Sequence, residues 1–129
     1  MLCIGAGGLI SHVAPTLVRK GIGRITLLDG DIVEASNLNR QRFYEADLGK
    51  NKALALAGNL QRECTAATDI RGFAMRLEEA IDRGMDLSGD VAIGVLDNNA
   101  ARVAARRFLR TSNPALVLAE VRGEGRGGS

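Results

Sequence analysis

The sequence predicts an α/β fold, a doubly wound, mainly parallel sheet with helices on both faces. Short apolar runs alternate along the chain with stretches whose apolar residues recur at helical spacing. Three candidate site segments, Gly5–Gly8, Asp29–Asp31 and Asp97–Asn98, each follow an apolar run, where the ligand crevice of such a sheet opens. The composition agrees: 46% apolar and 25% charged residues with a net charge of +2 over 129 residues describe a globular domain, not a disordered or strongly basic chain.

Each element has its own justification. Leu2-Cys3-Ile4 is a short apolar run ending at Gly5, as a buried parallel strand does. Leu9, Ile10, Val13, Leu17 and Val18 mark a helix over Leu9–Val18, with Gly21 and Gly23 suited to its end and the turn beyond. Pro15 removes one backbone bond there and is expected to kink that helix. Ile25–Leu28 reads as a second strand, stopped by Asp29-Gly30-Asp31. A polar stretch through Asp47 is long enough to suggest a functional loop. A helix over Lys50–Glu63 places Ala53, Leu56, Ala57 and Leu60 on one face. A weak strand at Thr68–Ile70, a short helix at Leu77–Arg83, a strand at Val91–Leu96, a helix at Ala100–Leu109 and a strand at Leu116–Val121 complete the pattern. Right-handed crossovers between the strands make the sheet doubly wound.

Several function classes fall away. No apolar run approaches the roughly 20 residues of a membrane span, and the glycine-broken start, without a basic region, does not read as a signal peptide. Two cysteines without paired spacing support neither a disulfide scaffold nor a zinc ribbon, and point to a reduced, cytoplasmic protein. Aromatic residues make up 3% of the chain, too few for a base-stacking platform, so a nucleic-acid partner is not expected.

Gly5-Ala6-Gly7-Gly8 joins the first strand to the first helix. Glycine allows a tight turn and close approach of a phosphate, while the helix start offers free N–H groups and a positive dipole end. A purely structural turn is the competing reading. Asp29 ends the second strand, where an acid meets a ribose hydroxyl in such folds, although a turn former beside Gly30 looks the same. Together the two favour a nucleotide without separating ATP from NAD. Arg40, Arg42 and Lys52 make the distinction. A dehydrogenase has no evident use for them, whereas phosphoryl or nucleotidyl transfer gathers charge on phosphate oxygens and needs cations there.

The run Asp29-Gly30-Asp31-Ile32-Val33-Glu34-Ala35-Ser36-Asn37-Leu38-Asn39-Arg40-Gln41, with the glycine loop before it and Gly49-Lys50-Asn51-Lys52 and Asp97-Asn98 after it, resembles the ThiF/MoeB/HesA adenylating domains of the ubiquitin-activating-enzyme-like superfamily. The resemblance spans Leu2 to about Val121 and implies a Rossmann-like domain that uses MgATP. It would adenylate the C-terminal carboxylate of a ubiquitin-like or sulfur-carrier protein ending in Gly-Gly, in a module that forms a homodimer. It further implies that Gly5, Gly7 and Gly8 lie against the nucleotide phosphates and that Asp29 holds the ribose. Ser36 to Arg40 then line the site, with Asn37 and Arg40 reaching phosphates and Gln41 bracing the loop or nucleotide. Lys52 stabilises charge at the α-phosphorus, and Asp97, beside Asn98, holds magnesium or orients the carboxylate. Arg40, Lys52 and Asp97 are the implied catalytic residues, and Arg102 matches an arginine often seen in the family. Residues 1–121 are expected to form the nucleotide-binding adenylation domain, as part of a longer module, and 122–129 a glycine-rich tail.

Departures and rivals accompany this reading. Ile10 stands where the family has a small residue, and the expected flanks, an arginine-bearing helical region before Met1 and a reactive cysteine or zinc pair after Val121, lie outside the sequence. Arg102, Arg106, Arg107 and Arg110 read as a solvated basic face, and His12 as a polar helix residue with no carboxylate evident to orient it. Arg126-Gly127-Gly128-Ser129 only superficially resembles a carrier tail, and neither Cys3, in a buried strand, nor Cys64 is expected to be a nucleophile. The glycine loop and Asp29 also permit an NAD(P)-dependent oxidoreductase, and a non-catalytic binding fragment of the same fold is the third reading.

Overall fold

A computed structural model of the chain describes residues 1–38, 40–63 and 67–85, together with the backbone of two short strands at 91–94 and 115–116. The elements are β1 (Leu2–Ile4), α1 (Gly8–Arg19), β2 (Arg24–Leu28), α2 (Lys52–Glu63), β3 (Asp69–Phe73), α3 (Leu77–Asp82), β4 (Val91–Gly94) and β5 (Ala115–Leu116), with 3-10 turns at Ala35–Asn37 and Glu45–Asp47 between β2 and α2. All strand pairs are parallel, in the order β3-β2-β1-β4-β5. β1 is therefore central: Leu2 faces Thr26 of β2 on one side and Ala92 of β4 on the other. The chain first steps outward through β2 and β3, then returns past β1 to β4, so the order reverses between β1 and β4. In sheets of this kind such a reversal, at the strand ends, is where ligands bind.

Alternation along the central strands buries both of their faces. Cys3, Ile25 and Leu27 join Ile10, Ala14 and Val18 of α1 and Ala53, Leu56 and Leu60 of α2 in one core, which Val33 and Phe43 close from the intervening segment. Leu2, Ile4 and Leu28 project to the other face and are buried as well. Ile10 sits within this packing, almost wholly excluded from solvent. α1 runs continuously through the buried Pro15.

The structure corrects some boundaries. α2 begins at Lys52, not Lys50, because Asn51 takes the capping position: its Oδ1 accepts the Leu54 N–H at 3.1 Å and its carbonyl accepts the Ala55 N–H. Lys50 instead closes a turn onto Asp47, and its carbonyl accepts the Val33 N–H at 2.8 Å. β3 extends to Phe73 and, among the described residues, is an edge strand paired only with β2. The polar stretch is built by local capping: Asn37 Oδ1 accepts the Glu34 N–H at 2.8 Å, and buried Asp47 accepts from Tyr44 N–H and Asn59 Nδ2, both at 2.9 Å. β4 is described to Gly94 and β5 over Ala115–Leu116, while the expected helix at 100–109 and the remainder of the last strand lie outside the described residues. No helix among the described residues is long and apolar enough to cross a membrane.

Candidate functional site

The glycine turn leaves β1 at the reversal of strand order. Gly5 and Gly8 adopt φ of 105° and 49°, the left-handed region that side chains rarely enter, so the turn needs glycine at both. Gly7 precedes α1 as its cap in extended conformation, with no side chain capping the helix and no acid in the first turn. Within α1 itself, therefore, no side chain offsets the positive end of the dipole.

Asp29 binds the two neighbouring strand ends together. Its Oδ2 accepts the Ala6 N–H at 2.8 Å and its Oδ1 accepts the Asp31 N–H at 2.9 Å, while Gly5 N–H donates to the Leu28 carbonyl at 2.6 Å. The carboxylate is half-buried, and it keeps lone pairs beyond those two bonds, since each oxygen accepts more than one. On the far side of the turn, Arg76 donates to Asp31 Oδ1 at 3.0 Å, with both side chains largely exposed.

Asn51 brings the start of α2 to the same place. Its Nδ2 donates to the carbonyls of Asp29 at 2.7 Å and Asp31 at 3.1 Å, and the Lys52 N–H donates to Asp31 O at 2.9 Å. Lys52 is thereby fixed one residue from a side chain bonded to the Asp29 turn. Among the described residues neither Lys52 nor Arg40 lies within ion-pair distance of a carboxylate, unlike Arg24, Arg42, Arg71, Arg76 and Arg83.

The segment carrying Arg40 and Gln41 folds back over the glycine turn. Gln41 N–H donates to Asn37 O at 2.8 Å, and its side-chain amide packs against Gly7 so closely that a Cβ there would lie 2.6 Å from Oε1. That Oε1 is buried without a hydrogen-bond partner. An unpaired amide oxygen in a polar turn is a cost of roughly 1–3 kcal/mol that a donor on a ligand could relieve. Ser36 is exposed on the 3-10 turn, and Asn37 is buried with its Oδ1 engaged by Glu34.

The structure therefore gathers Gly5, Gly7, Gly8, Asp29, Gln41 and the backbone of Lys52 and Arg40 around one turn, with Ser36 and Asn37 on the adjoining loop. Asp97, Asn98, Arg102 and Cys64 lie outside the described residues. Among those described, no group of three or more His, Cys, Asp or Glu side chains is placed to hold a metal ion. Sequence reasoning did not single out Ser11 or Asn51, and it read His12 only as a polar helix residue. Only Asn51 carried a usable signal, an Asn immediately before a periodic helix.

Residues 1–126 match the ThiF family. The chain is 48% identical over 120 residues to the adenylyltransferase and sulfurtransferase MOCS3 of Xenopus laevis, covering 87% of this chain and 27% of that protein. It is 32% identical over 119 residues to the NEDD8-activating enzyme E1 catalytic subunit of Caenorhabditis elegans, covering 92% of this chain and 26% of that one. The E. coli tRNA N6-threonylcarbamoyladenosine dehydratase TcdA, solved in complex with ATP, superposes with a TM-score of 0.78 at 27% identity, over 91% of this chain and 49% of that chain. The chain spans about a quarter of the length of the curated relatives it matches.

Proposed function

The chain belongs to the ThiF family, and from that premise we propose that it is an adenylation domain that binds MgATP and activates a carboxylate. The observation that carries this reading is the meeting at one glycine turn of Asp29 and the segments bearing Arg40 and Lys52, two cations with no carboxylate partner among the described residues. Cations left without a partner beside an uncapped helix start favour a multiply charged anion. Gly7 and Gly8 let the phosphates approach the backbone, the remaining lone pairs of Asp29 accept from the ribose, and the orphaned Gln41 amide takes a donor from the nucleotide.

The proposed reaction is attack of a carboxylate oxygen on the α-phosphorus, forming a C(O)–O–P bond as the bond to the leaving pyrophosphate breaks. An acyl-adenylate and pyrophosphate result. Carboxylate and triphosphate repel, so Arg40 and Lys52 act by screening that repulsion and by stabilising charge as it moves to the leaving oxygens. Asp97 is the proposed magnesium ligand, and magnesium would add its own screening of the phosphate oxygens. The proposed partner is a ubiquitin-like or sulfur-carrier protein with a Gly-Gly end, and the proposed state of the intact module is a cytoplasmic homodimer.

Ligand linkage tests the nucleotide. MgATP at about 100 times its Kd should stabilise the protein by about 2.7 kcal/mol, raising Tm by several degrees, and NAD at the same concentration should leave Tm unchanged. Stabilisation by NAD alone would overturn the adenylation reading in favour of an oxidoreductase.

A further inference from the structure

The first two turns of α1 contact a segment some thirty residues further along the chain. His12 Nε2 lies 2.8 Å from the carbonyl oxygen of Arg40. Two positions on, the Arg42 N–H donates to Ser11 Oγ at 3.1 Å, and the same hydroxyl donates to the Gly8 carbonyl at 2.8 Å. Ser11 is fully buried, and its hydroxyl both donates and accepts. Gln41, between the two tethered residues, has its amide against Gly7.

The roles are fixed by chemistry. A carbonyl oxygen only accepts, so His12 Nε2 must carry the hydrogen, a condition met by the neutral Nε2–H tautomer and by the imidazolium alike. His12 itself is exposed, and a solvated helix residue would have no need of a partner 28 residues distant. The bond lands on the peptide of the residue whose guanidinium the nucleotide reading requires.

We propose that His12 is a positioning residue: by donating to the Arg40 carbonyl, together with the Ser11 tether at Arg42, it holds the Arg40–Arg42 segment against α1 and so presets Arg40 and Gln41 over the glycine turn. This deepens the nucleotide reading above and rests on it. A segment fixed before binding loses less conformational freedom when the ligand arrives, so the tether acts on affinity through preorganisation without touching the nucleotide.

The test uses His12→Ala and His12→Gln in the full chain. Both residues are strong helix formers, so α1 is retained, and the Gln Nε2 reaches about as far as the imidazole Nε2. Two readouts are taken: trypsin cleavage after Arg40 and Arg42 without ligand, and the MgATP Kd by calorimetry. His12→Ala should be cut several-fold faster at those two sites and bind MgATP about three- to tenfold more weakly, the loss of one hydrogen bond. His12→Gln should restore both. Unchanged cleavage in His12→Ala, or unchanged Kd while the parent binds MgATP, overturns the inference and leaves the nucleotide reading standing. Equal weakening in the Ala and Gln variants overturns it too, by removing the hydrogen bond as the cause. A parent that does not bind MgATP overturns the nucleotide reading, and this inference with it.

Discussion

Gly7 has no room for a side chain because the Gln41 amide already occupies the space a Cβ would take, 2.6 Å from Oε1 and 3.0 Å from Cδ. Its φ of −98° is ordinary for any residue, so Gly7→Ala imposes no backbone strain and tests the contact alone. The displaced group is the end of a flexible side chain, so the cost in stability should stay under about 1 kcal/mol. The cost in binding should be larger, about tenfold or more in MgATP Kd, since the new methyl group and the moved amide both intrude on the proposed phosphate site. Calorimetry beside a denaturant melt separates the two, and a stability loss without an affinity loss would place the nucleotide elsewhere. At this scale the sequence was legible only in part. Gly5, Gly8 and Asp29 stand out because turn chemistry restricts which residues serve there. His12 and Ser11 do not, because their partners at Arg40 and Arg42 are 28 and 31 residues away and no local pattern encodes such a bond; Asn51 is legible as a helix cap, but its bonds to Asp29 and Asp31, 22 and 20 residues away, are not.

β3 meets α2 through a glycine. A Cβ on Gly72 would lie 2.6 Å from the Ala53 carbonyl oxygen and 3.0 Å from Ala57 Cβ, so the strand and helix backbones approach as closely as a missing side chain allows. Here the obstacle is backbone, and no rotamer relieves it. Gly72→Ala should move α2 away from the sheet at a cost of about 1–3 kcal/mol, read as a lower denaturant midpoint with an unchanged m value. Because Lys52 is the first residue of α2, the same variant should also weaken MgATP binding; a full stability loss with wild-type affinity would disconnect the helix position from the site. Elements were the best-read level of this chain, since α1 and α2 carry apolar residues at helical spacing and β1 and β2 are short apolar runs buried on both faces. β3 read weakly because an edge strand pairs on one side only and keeps much of its surface, leaving Asp69 and Arg71 exposed. The 3-10 turns gave no signal at all. Turns of three residues, two of them polar, stabilised by a cap from Asn37 or Asp47 are too short to show an apolar periodicity.

For the whole molecule, the central strand β1, paired on both sides, carries a titratable reporter. Cys3 lies in that strand, flanked by β2 and β4 and almost wholly buried. Burial lifts its pKa from an ordinary 9.0 to about 12, against a small opposing pull from the chain's N-terminal charge. The thiol therefore stays protonated near neutral pH and is no candidate for a thioester-forming nucleophile. The same shift has a consequence for stability whose sign follows from proton counting. Between 9.0 and about 12 the unfolded chain has released the Cys3 proton while the folded chain keeps it, so the unfolded state binds fewer protons and folding stability falls as pH rises. Below pH 9 both states hold the proton and Cys3 contributes no slope. From pH 8 to 10 the loss should be about 1.4 kcal/mol, and Cys3→Ala should abolish that part of the alkaline decline while sacrificing some packing at all pH values. Denaturant melts at pH 8, 9 and 10, comparing parent and Cys3→Ala in a Cys64→Ser background, isolate the effect. The parent starts more stable at pH 8, and its advantage shrinks as the pH climbs. A constant gap between the two would mean that the Cys3 thiol ionises as freely in the folded sheet as in the unfolded chain, and that β1 is not closed from solvent on both sides.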